Sequence, residues 1–291
     1  MKTKTKASLW IARLVKGFAI GASMLIPGVS GGTMAILLGV YDEMISALSN
    51  IRARFRHSSL LLLQFLVGAG VGILLLSGPM LTALALWTKP VMFFFTGAIL
   101  AGIPPIYRKV RVARIKPRNI LVAAVGAAVA VATEYLPSGL FKPVSGGGFD
   151  LSACALLLAA GFVIAIALIL PGISGSYVLL MFGMYDLTLA AVRDANLPYL
   201  LPLAAGGLAG VFSTAGILDK LMRKHPQFIY MLIIGFMLGS VAQVFPGLPA
   251  GLGIPVCAAA FLIGFGLVFW IGKFEKQTES ETDNTNGKEI F

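Results

Sequence analysis

The chain has 291 residues, of which 58% are hydrophobic and 12% are charged, and its mean hydropathy is +0.90. This composition excludes a water-soluble globular domain, because there are too few polar side chains to cover a surface in water. The net charge of +11 comes from basic residues between apolar stretches. That placement indicates membrane orientation and contact with anionic lipid rather than nucleic-acid binding.

Ten apolar stretches follow one another along the chain. A bilayer core about 30 Å thick needs about 20 helical residues, so the longer stretches predict spanning helices and the shorter ones need another arrangement. In chain order the stretches are 9–26, 33–49, 60–87, 91–107, 119–136, 151–170, 177–192, 200–222, 228–245 and 251–271. The polar residues 276–291 predict a disordered cytoplasmic tail.

One segment occurs twice: residues 17–48 align without a gap to 161–192, with 11 identities among 32 positions. Most identities are residues that break or punctuate helices. They include Pro27/Pro171, Gly28/Gly172, Ser30/Ser174, Gly31/Gly175, Gly39/Gly183, Tyr41/Tyr185 and Asp42/Asp186. The duplication continues in later glycines at an offset of 138 residues. It divides the chain into membrane repeats 1–143 and 150–275, each with five apolar stretches.

Basic residues indicate the orientation of these repeats. With a cytoplasmic N-terminus and alternating direction, 20 of the 23 Lys and Arg residues fall on the cytoplasmic side, and only Lys89, Lys142 and Arg193 fall outside. This positive-inside bias predicts that both termini are cytoplasmic and that each repeat crosses the membrane an odd number of times. The second repeat is then inverted relative to the first.

The predicted fold is an all-α integral membrane protein with two inverted-topology repeats, each with a Pro/Gly-tipped re-entrant helical hairpin plus three transmembrane helices. Pro27-Gly28 and Pro171-Gly172 form the tips. Proline and glycine free backbone polar groups, which a bilayer tolerates only inside protein or beside a water-filled cavity. Tips that enter from opposite faces meet near the middle of the membrane. The number of crossings per repeat is also odd if both stretches that flank the tip span the membrane. This alternative therefore stays open.

Small and hydroxylated residues follow both tips. Glycine lets the backbone approach a ligand, and a helix N-terminus offers unpaired amide hydrogens with about half a positive charge. The pattern predicts an anion-binding site without a metal. The alternative is that the hydroxyls only cap helices and the glycines only allow close packing. The residues are Ser30, Gly31, Gly32 and Thr33 in the first repeat, and Ser174, Gly175 and Ser176 in the second.

Five charged residues are candidates for coupling or gating: Asp42, Asp186, Glu134, Arg13 and Lys16. The aspartates match across the repeats and suit a coupling proton or ion, although capping of a helix N-terminus explains them more simply. Glu134 suits a proton relay or an interfacial carboxylate. Arg13 and Lys16 are candidates for attracting phosphate at the cytoplasmic mouth. The alternative is that their long side chains only snorkel to the membrane interface.

The sequences PGVSGGT and PGISGS, each ahead of a Gly-x-Tyr-Asp, resemble the signatures of bacterial and archaeal polyprenyl-phosphate transporters. The resemblance extends to about Lys276, and it implies that the anion bound at the two signatures is a phosphate headgroup. It implies a non-enzymatic protein of the cytoplasmic membrane that returns undecaprenyl phosphate, the lipid carrier of cell-envelope precursors, from the outer to the inner leaflet. No cofactor is implied, and coupling to protons or sodium is a further expectation. The oligomeric state stays open.

Two other functions also stay open. Undecaprenyl-pyrophosphate phosphatases carry duplicated PG-x-S signatures that continue Ser-Arg-Ser, whereas this chain has Ser30-Gly31-Gly32 and Ser174-Gly175-Ser176. Without arginine, phosphoryl transfer lacks the bidentate clamp that stabilises its developing charge. A secondary transporter of a small anion could use the same inverted plan, with a closed polar cavity in place of a lateral opening to lipid.

Overall fold

The computed structural model of the chain describes residues 6–26, 28–110, 116–135, 151–173, 175–251 and 253–286. These residues form eleven α-helices and no strand. In chain order the helices are α1 (Lys6–Ser23), α2 (Gly31–Leu37), α3 (Tyr41–Ser49), α4 (Phe55–Lys109), α5 (Pro117–Tyr135), α6 (Leu151–Ile169), α7 (Gly175–Met181), α8 (Tyr185–Arg193), α9 (Leu197–Lys224), α10 (Pro226–Val244) and α11 (Gly253–Asn286).

Five helices of the described residues are long and apolar enough to cross a membrane: α4, α6, α9, α10 and α11. The 55 residues of α4 span about 82 Å at 1.5 Å per residue, more than twice the bilayer core. Large apolar side chains point outward, such as Leu74 on α4 and Leu262 on α11, which are 78% and 66% exposed. Such surfaces are stable in lipid and not in water.

A break at Trp87 divides α4, because its φ of −135° and ψ of 46° are not helical. His225, between α9 and α10, has nearly the same angles, φ −133° and ψ 57°. The two residues are 138 positions apart, so the same bend occurs in both repeats. Residues 55–86 and 88–109 are therefore two helical arms, here called arm 4a and arm 4b, which correspond to α9 and α10.

The short helices repeat with the same bounds. α2 and α7 have seven residues each, α3 and α8 have nine, and the members of each pair start 144 positions apart. α2 ends in a Schellman motif, in which the Gly39 amide donates to the Ile36 carbonyl and the Val40 amide to the Ala35 carbonyl, both at 2.9 Å. Gly39 has a φ of +66°, which glycine adopts without strain. Gly183 closes α7 in the same way, with a φ of +64°.

Two sequence expectations change here. The stretches 33–49 and 177–192 each contain two helices rather than one, because the left-handed glycine ends the first of them. Each repeat thus has six helical segments instead of five. In addition, α11 continues as helix to Asn286, where the sequence predicts disorder. Extension of a helix that has already nucleated costs little per residue. Residues 287–291 of the predicted tail lie outside the described residues.

Glycines bring helices into backbone contact at matching positions in both repeats. α1 crosses arm 4a where a Cβ on Gly68 would overlap the Leu14 carbonyl. α6 crosses α9 where a Cβ on Gly206 would overlap the Leu158 carbonyl. Close approach through small residues is the usual way in which helices associate in lipid, where burial of apolar surface gives no driving force.

The last helix of each repeat packs against the other repeat. α11 lies on arm 4b, with Gly97 against the backbone of Phe261, and α5 lies on α10, with Gly235 against the backbone of Ala123. Gly97 corresponds to Gly235, and Ala123 corresponds to Phe261, at the same offset of 138 residues. The two contacts are therefore copies of one another, and together they join the repeats.

Arm 4b and α10, which correspond between the repeats, run antiparallel. Phe93 near the start of arm 4b packs edge-on against Phe245 beyond the end of α10, with ring centroids 5.6 Å apart. At the other end, Lys109 Nζ lies 5.8 Å from the ring centroid of Tyr230, near the start of α10. These two corresponding helices therefore point in opposite directions.

The glycine crossings predict a position-specific effect on stability. We expect Gly68→Val to lower the free energy of unfolding by about 1–3 kcal/mol, because the new side chain must displace the α1 backbone. Gly70→Val on the same arm is the control, since a Cβ at Gly70 would have no atom within 4 Å. Thermal unfolding in detergent measures both variants. Equal unfolding midpoints for the two would contradict the packing.

Candidate functional site

Each repeat has a tip where a long helix stops and a seven-residue helix begins, between α1 and α2 and between α6 and α7. Gly28 and Gly172 turn the chain at these tips, with φ of +81° and +78°. A Cβ at Gly172 would also overlap the Phe236 carbonyl of α10. Both the turn and its packing therefore require glycine at this position.

The two tips touch through hydrogen bonds. The Gly172 amide donates to Ser30 Oγ at 3.1 Å and to Thr33 Oγ1 at 2.9 Å. The two hydroxyl oxygens lie 2.9 Å apart, and Ser30 Oγ also accepts from the Thr33 amide at 3.1 Å, which caps α2. Ser30 is 6% exposed and Thr33 is fully buried. Parts of the two signatures, 142 residues apart in sequence, thus meet inside the protein.

Hydrogen-bond donors outnumber acceptors at this contact. One hydroxyl proton of Ser30 and Thr33 serves their mutual bond, and no described residue accepts the other. The amides of Gly31 and Gly32 at the start of α2 also lack an acceptor among the described residues. Ser30 Oγ accepts from the Thr33 amide and the Ser30 carbonyl accepts from the Met34 amide. Unpaired donors at a helix start favour an anion.

Apolar side chains surround the contact, and α10 forms a common wall for both tips. Gly172 abuts Phe236, and Gly28 abuts Val244 about two helical turns further along α10. A hydrogen bond formed in such surroundings is stronger than one in water. The apolar residues beside the two tips are at most 7% exposed: Ile26, Val29, Ile169 and Ile173.

Tyr41 joins the repeats a second time. Its hydroxyl donates to the Ile169 carbonyl at 2.9 Å, and the residue is 4% exposed. Ile169 is the last residue of α6, so its carbonyl has no partner within its own helix. A residue of the first repeat therefore caps a helix of the second, immediately before the Gly172 tip.

The predicted cations Arg13 and Lys16 lie beside the far end of α2, whose seven residues place that end about 10 Å from the tip. Lys16 Nζ donates to the Leu38 carbonyl at 2.8 Å, and Arg13 pairs with Glu43 at 2.5 Å. Lys16 thus connects α1 to the turn after α2, and Arg13 connects α1 to the first turn of α3.

Asp42 lies in a network of its own. It accepts from Lys109 Nζ at 2.5 Å and from the Tyr230 hydroxyl at 3.0 Å, which connects α3 to arm 4b and α10. Asp186 is exposed, and no described residue pairs with it. The two matched aspartates therefore have different surroundings, although their helices repeat.

The prediction that these aspartates cap their helices is wrong. The N-cap residues of α3 and α8 are Val40 and Met184, and neither helix has a side-chain cap. The Schellman turn carries the chain directly into the next helix, so the aspartates lie within its first turn.

Several predicted site residues are not described. Pro27 and Ser174 lie outside the described residues, as do the side chains of Ser176 and Glu134. Gly175 is buried at the start of α7. Any bond between the Ser174 hydroxyl and the first tip therefore stays a prediction.

Sequence analysis missed Glu43, Lys109 and Tyr230. In the sequence, Lys109 belongs to a basic group whose pattern indicates only the orientation of the chain. Tyr230 is 188 residues from Asp42, and no local pattern connects the two.

Long apolar helices, outward apolar side chains and two related repeats define a multi-pass α-helical membrane protein. Its duplicated signatures meet in the interior. The chain belongs to the undecaprenyl phosphate translocase-like family, whose model matches residues 20–250. This match confirms the resemblance seen in the two signatures.

Two curated relatives are both named polyprenyl-phosphate transporter. A polyprenyl-phosphate transporter of Staphylococcus aureus is 34% identical over 282 residues, which cover 93% of this chain and 98% of the relative. A polyprenyl-phosphate transporter of Vibrio cholerae is 29% identical over 255 residues, which cover 83% of this chain and 79% of the relative. No solved structure matches the chain significantly.

The bond between Tyr41 and Ile169 can be tested against its repeat counterpart. We expect Tyr41→Phe to destabilise the protein by about 1–3 kcal/mol, because it leaves a buried carbonyl unpaired. Tyr185→Phe is the matched control, since Tyr185 is 36% exposed. Thermal unfolding in detergent gives the comparison. A Tyr41→Phe protein as stable as the control would contradict the cross-repeat bond.

Proposed function

We propose that the protein moves polyprenyl phosphate, specifically undecaprenyl phosphate, from the outer to the inner leaflet of the cytoplasmic membrane. The contact between the Gly172 amide and the hydroxyls of Ser30 and Thr33 carries this proposal. It places the two signatures together, with spare donors for a phosphate. Membership of the family and the names of both relatives support the same substrate.

The physical problem of this substrate matches the site. A phosphate cannot cross hydrocarbon unpaired, because burial of an isolated charge is very costly, whereas a prenyl tail stays in lipid throughout. Only the headgroup needs a polar path. Amide and hydroxyl donors at the tips, together with the helix dipoles of α2 and α7, offset the lost hydration of the headgroup.

An inverted arrangement supplies access from both leaflets. Arm 4b and α10 correspond between the repeats and run antiparallel, which supports this arrangement. The distribution of basic residues supports cytoplasmic termini. On this proposal each tip is re-entrant, and one repeat rocks against the other around the site between them.

The transport proposal is tested by removal of the tip hydroxyls. We expect Thr33→Val, Ser30→Ala and Ser174→Ala each to slow loss of labelled prenyl phosphate from the outer leaflet of protein-containing vesicles by roughly tenfold or more, because each removes a hydrogen bond to a charged group. Thr82→Val is the control for Thr33→Val, because Thr82 is an exposed threonine of α4.

Three results would decide against the proposal. Normal transport by all three tip variants would reduce the hydroxyls to a structural role. Equal slowing by Thr82→Val would show a non-specific loss. Release of inorganic phosphate from polyprenyl pyrophosphate by the native protein would favour the phosphatase alternative.

The same proposal assigns coupling to Asp42 rather than Asp186, because Asp42 connects three helices of the two repeats and Asp186 has no partner among the described residues. We expect Asp42→Asn to abolish the response of transport to an imposed proton or sodium gradient. Asp186→Asn should respond as the native protein does. A response lost in Asp186→Asn but kept in Asp42→Asn would contradict the assignment.

A further inference from the structure

A cavity of about 290 Å³ lies where α5 and α10 begin, away from the tips. Along α10, Phe228 at the cavity and Phe236 at the Gly172 contact are eight residue steps apart, a distance of about 12 Å. All of its basic residues belong to the group that the sequence assigns to the cytoplasmic side. The polar lining comprises Lys116, Arg118, Asn119, Lys224, His225 and Gln227.

The charge in this cavity is uncompensated. Lys116, Arg118 and Lys224 contribute three positive charges, and the lining contains no carboxylate. None of the three has an ion-pair partner among the described residues, whereas Lys109 and Arg223 pair with aspartates close by. A purely topological signal requires basic residues near this interface, but it does not require them to converge on one cavity.

Two helix starts add to this positive potential. α5 and α10 each have 19 residues and begin at the cavity. They run parallel, since Ala123 faces Gly235 and, further along, the Ala130 carbonyl accepts from Gln243. Both positive dipole ends therefore point to the same place, each equivalent to about half a charge.

Asn119 is a second, independent indication that the cavity binds a ligand. The residue is 8% exposed and lines the cavity. Its side-chain Nδ2 is buried, and no described residue accepts a hydrogen bond from it. A buried amide without a partner is costly. A phosphate oxygen in the cavity would accept this bond.

We propose that this cavity is a second anion site, which binds a phosphate monoester group at the cytoplasmic face. Three cations, two helix starts and the Asn119 amide are the donors that such a dianion requires. Either free phosphate or a prenyl phosphate headgroup carries this chemistry. Only the assignment to the headgroup, on its way out of the tips, rests on the proposed function.

Calorimetric titration of the purified full chain at low salt tests the site, with inorganic phosphate and a water-soluble short-chain prenyl monophosphate as probes. We expect the triple variant K116Q/R118Q/K224Q to bind both probes at least roughly tenfold more weakly. The variant R52Q/R54Q/R56Q is the matched control, because it removes three exposed basic residues of the same predicted face outside the cavity. It should change affinity less than about twofold.

Asn119→Leu gives a second test if the triple variant fails to fold. Replacement of an unpartnered buried amide by an apolar side chain should leave thermal stability unchanged or raised. We nevertheless expect phosphate affinity to fall several-fold. If Asn119 were purely structural, Asn119→Leu would not lower phosphate affinity while stability stayed unchanged or rose.

The outcome of this titration can be distinguished from the outcome of the transport test. Tighter binding of the prenyl monophosphate than of inorganic phosphate would identify the headgroup as the source, and equal binding would identify free phosphate. Binding of inorganic phosphate that is lost in K116Q/R118Q/K224Q and kept in R52Q/R54Q/R56Q would support the cavity site even if the tips prove not to bind. No binding of either probe to the native chain, or equal losses in the two triple variants, would overturn the site.

Discussion

The contact between the Gly172 amide and the hydroxyls of Ser30 and Thr33 is the interaction on which the rest of the arrangement depends. It is a polar contact buried among apolar side chains, where an unpaired group would be costly and a paired one is strong. The bond from Tyr41 to Ile169 supports it from the next helix. Because both bonds connect different repeats, the geometry of the tips depends on the relative position of the repeats.

α10 connects the features of functional interest. It begins at the basic cavity, presents Tyr230 to Asp42, and then passes the two tips at Phe236 and Val244. Of the long apolar helices it has the largest share of buried residues, 61% of its most apolar window. The neighbouring α5 runs parallel to it from the same cavity. A phosphate group leaving the tips along this wall would meet the Asp42 network and then the cavity.

Features set by local chemistry could be predicted from the sequence, whereas contacts between the repeats could not. The breaks at both signatures follow from Pro and Gly, and the bend at Trp87 lies at the end of the predicted stretch 60–87. A glycine repeated at Gly183 signals the break at Gly39. The surrounding residues are continuously apolar, however, so the sequence there also fits one unbroken helix. The partners of Asp42 are distant in sequence, and the packing of α5 on α10 depends on the assembled repeats.

The most direct test of the central claim is an experimental structure of the protein with a polyprenyl phosphate bound in lipid nanodiscs. The account predicts phosphate density within hydrogen-bonding distance of Ser30, Thr33 and the amides at the start of α2, with the second signature on its other side. A phosphate bound elsewhere, with the Gly172 tip still held by the two hydroxyls, would contradict it.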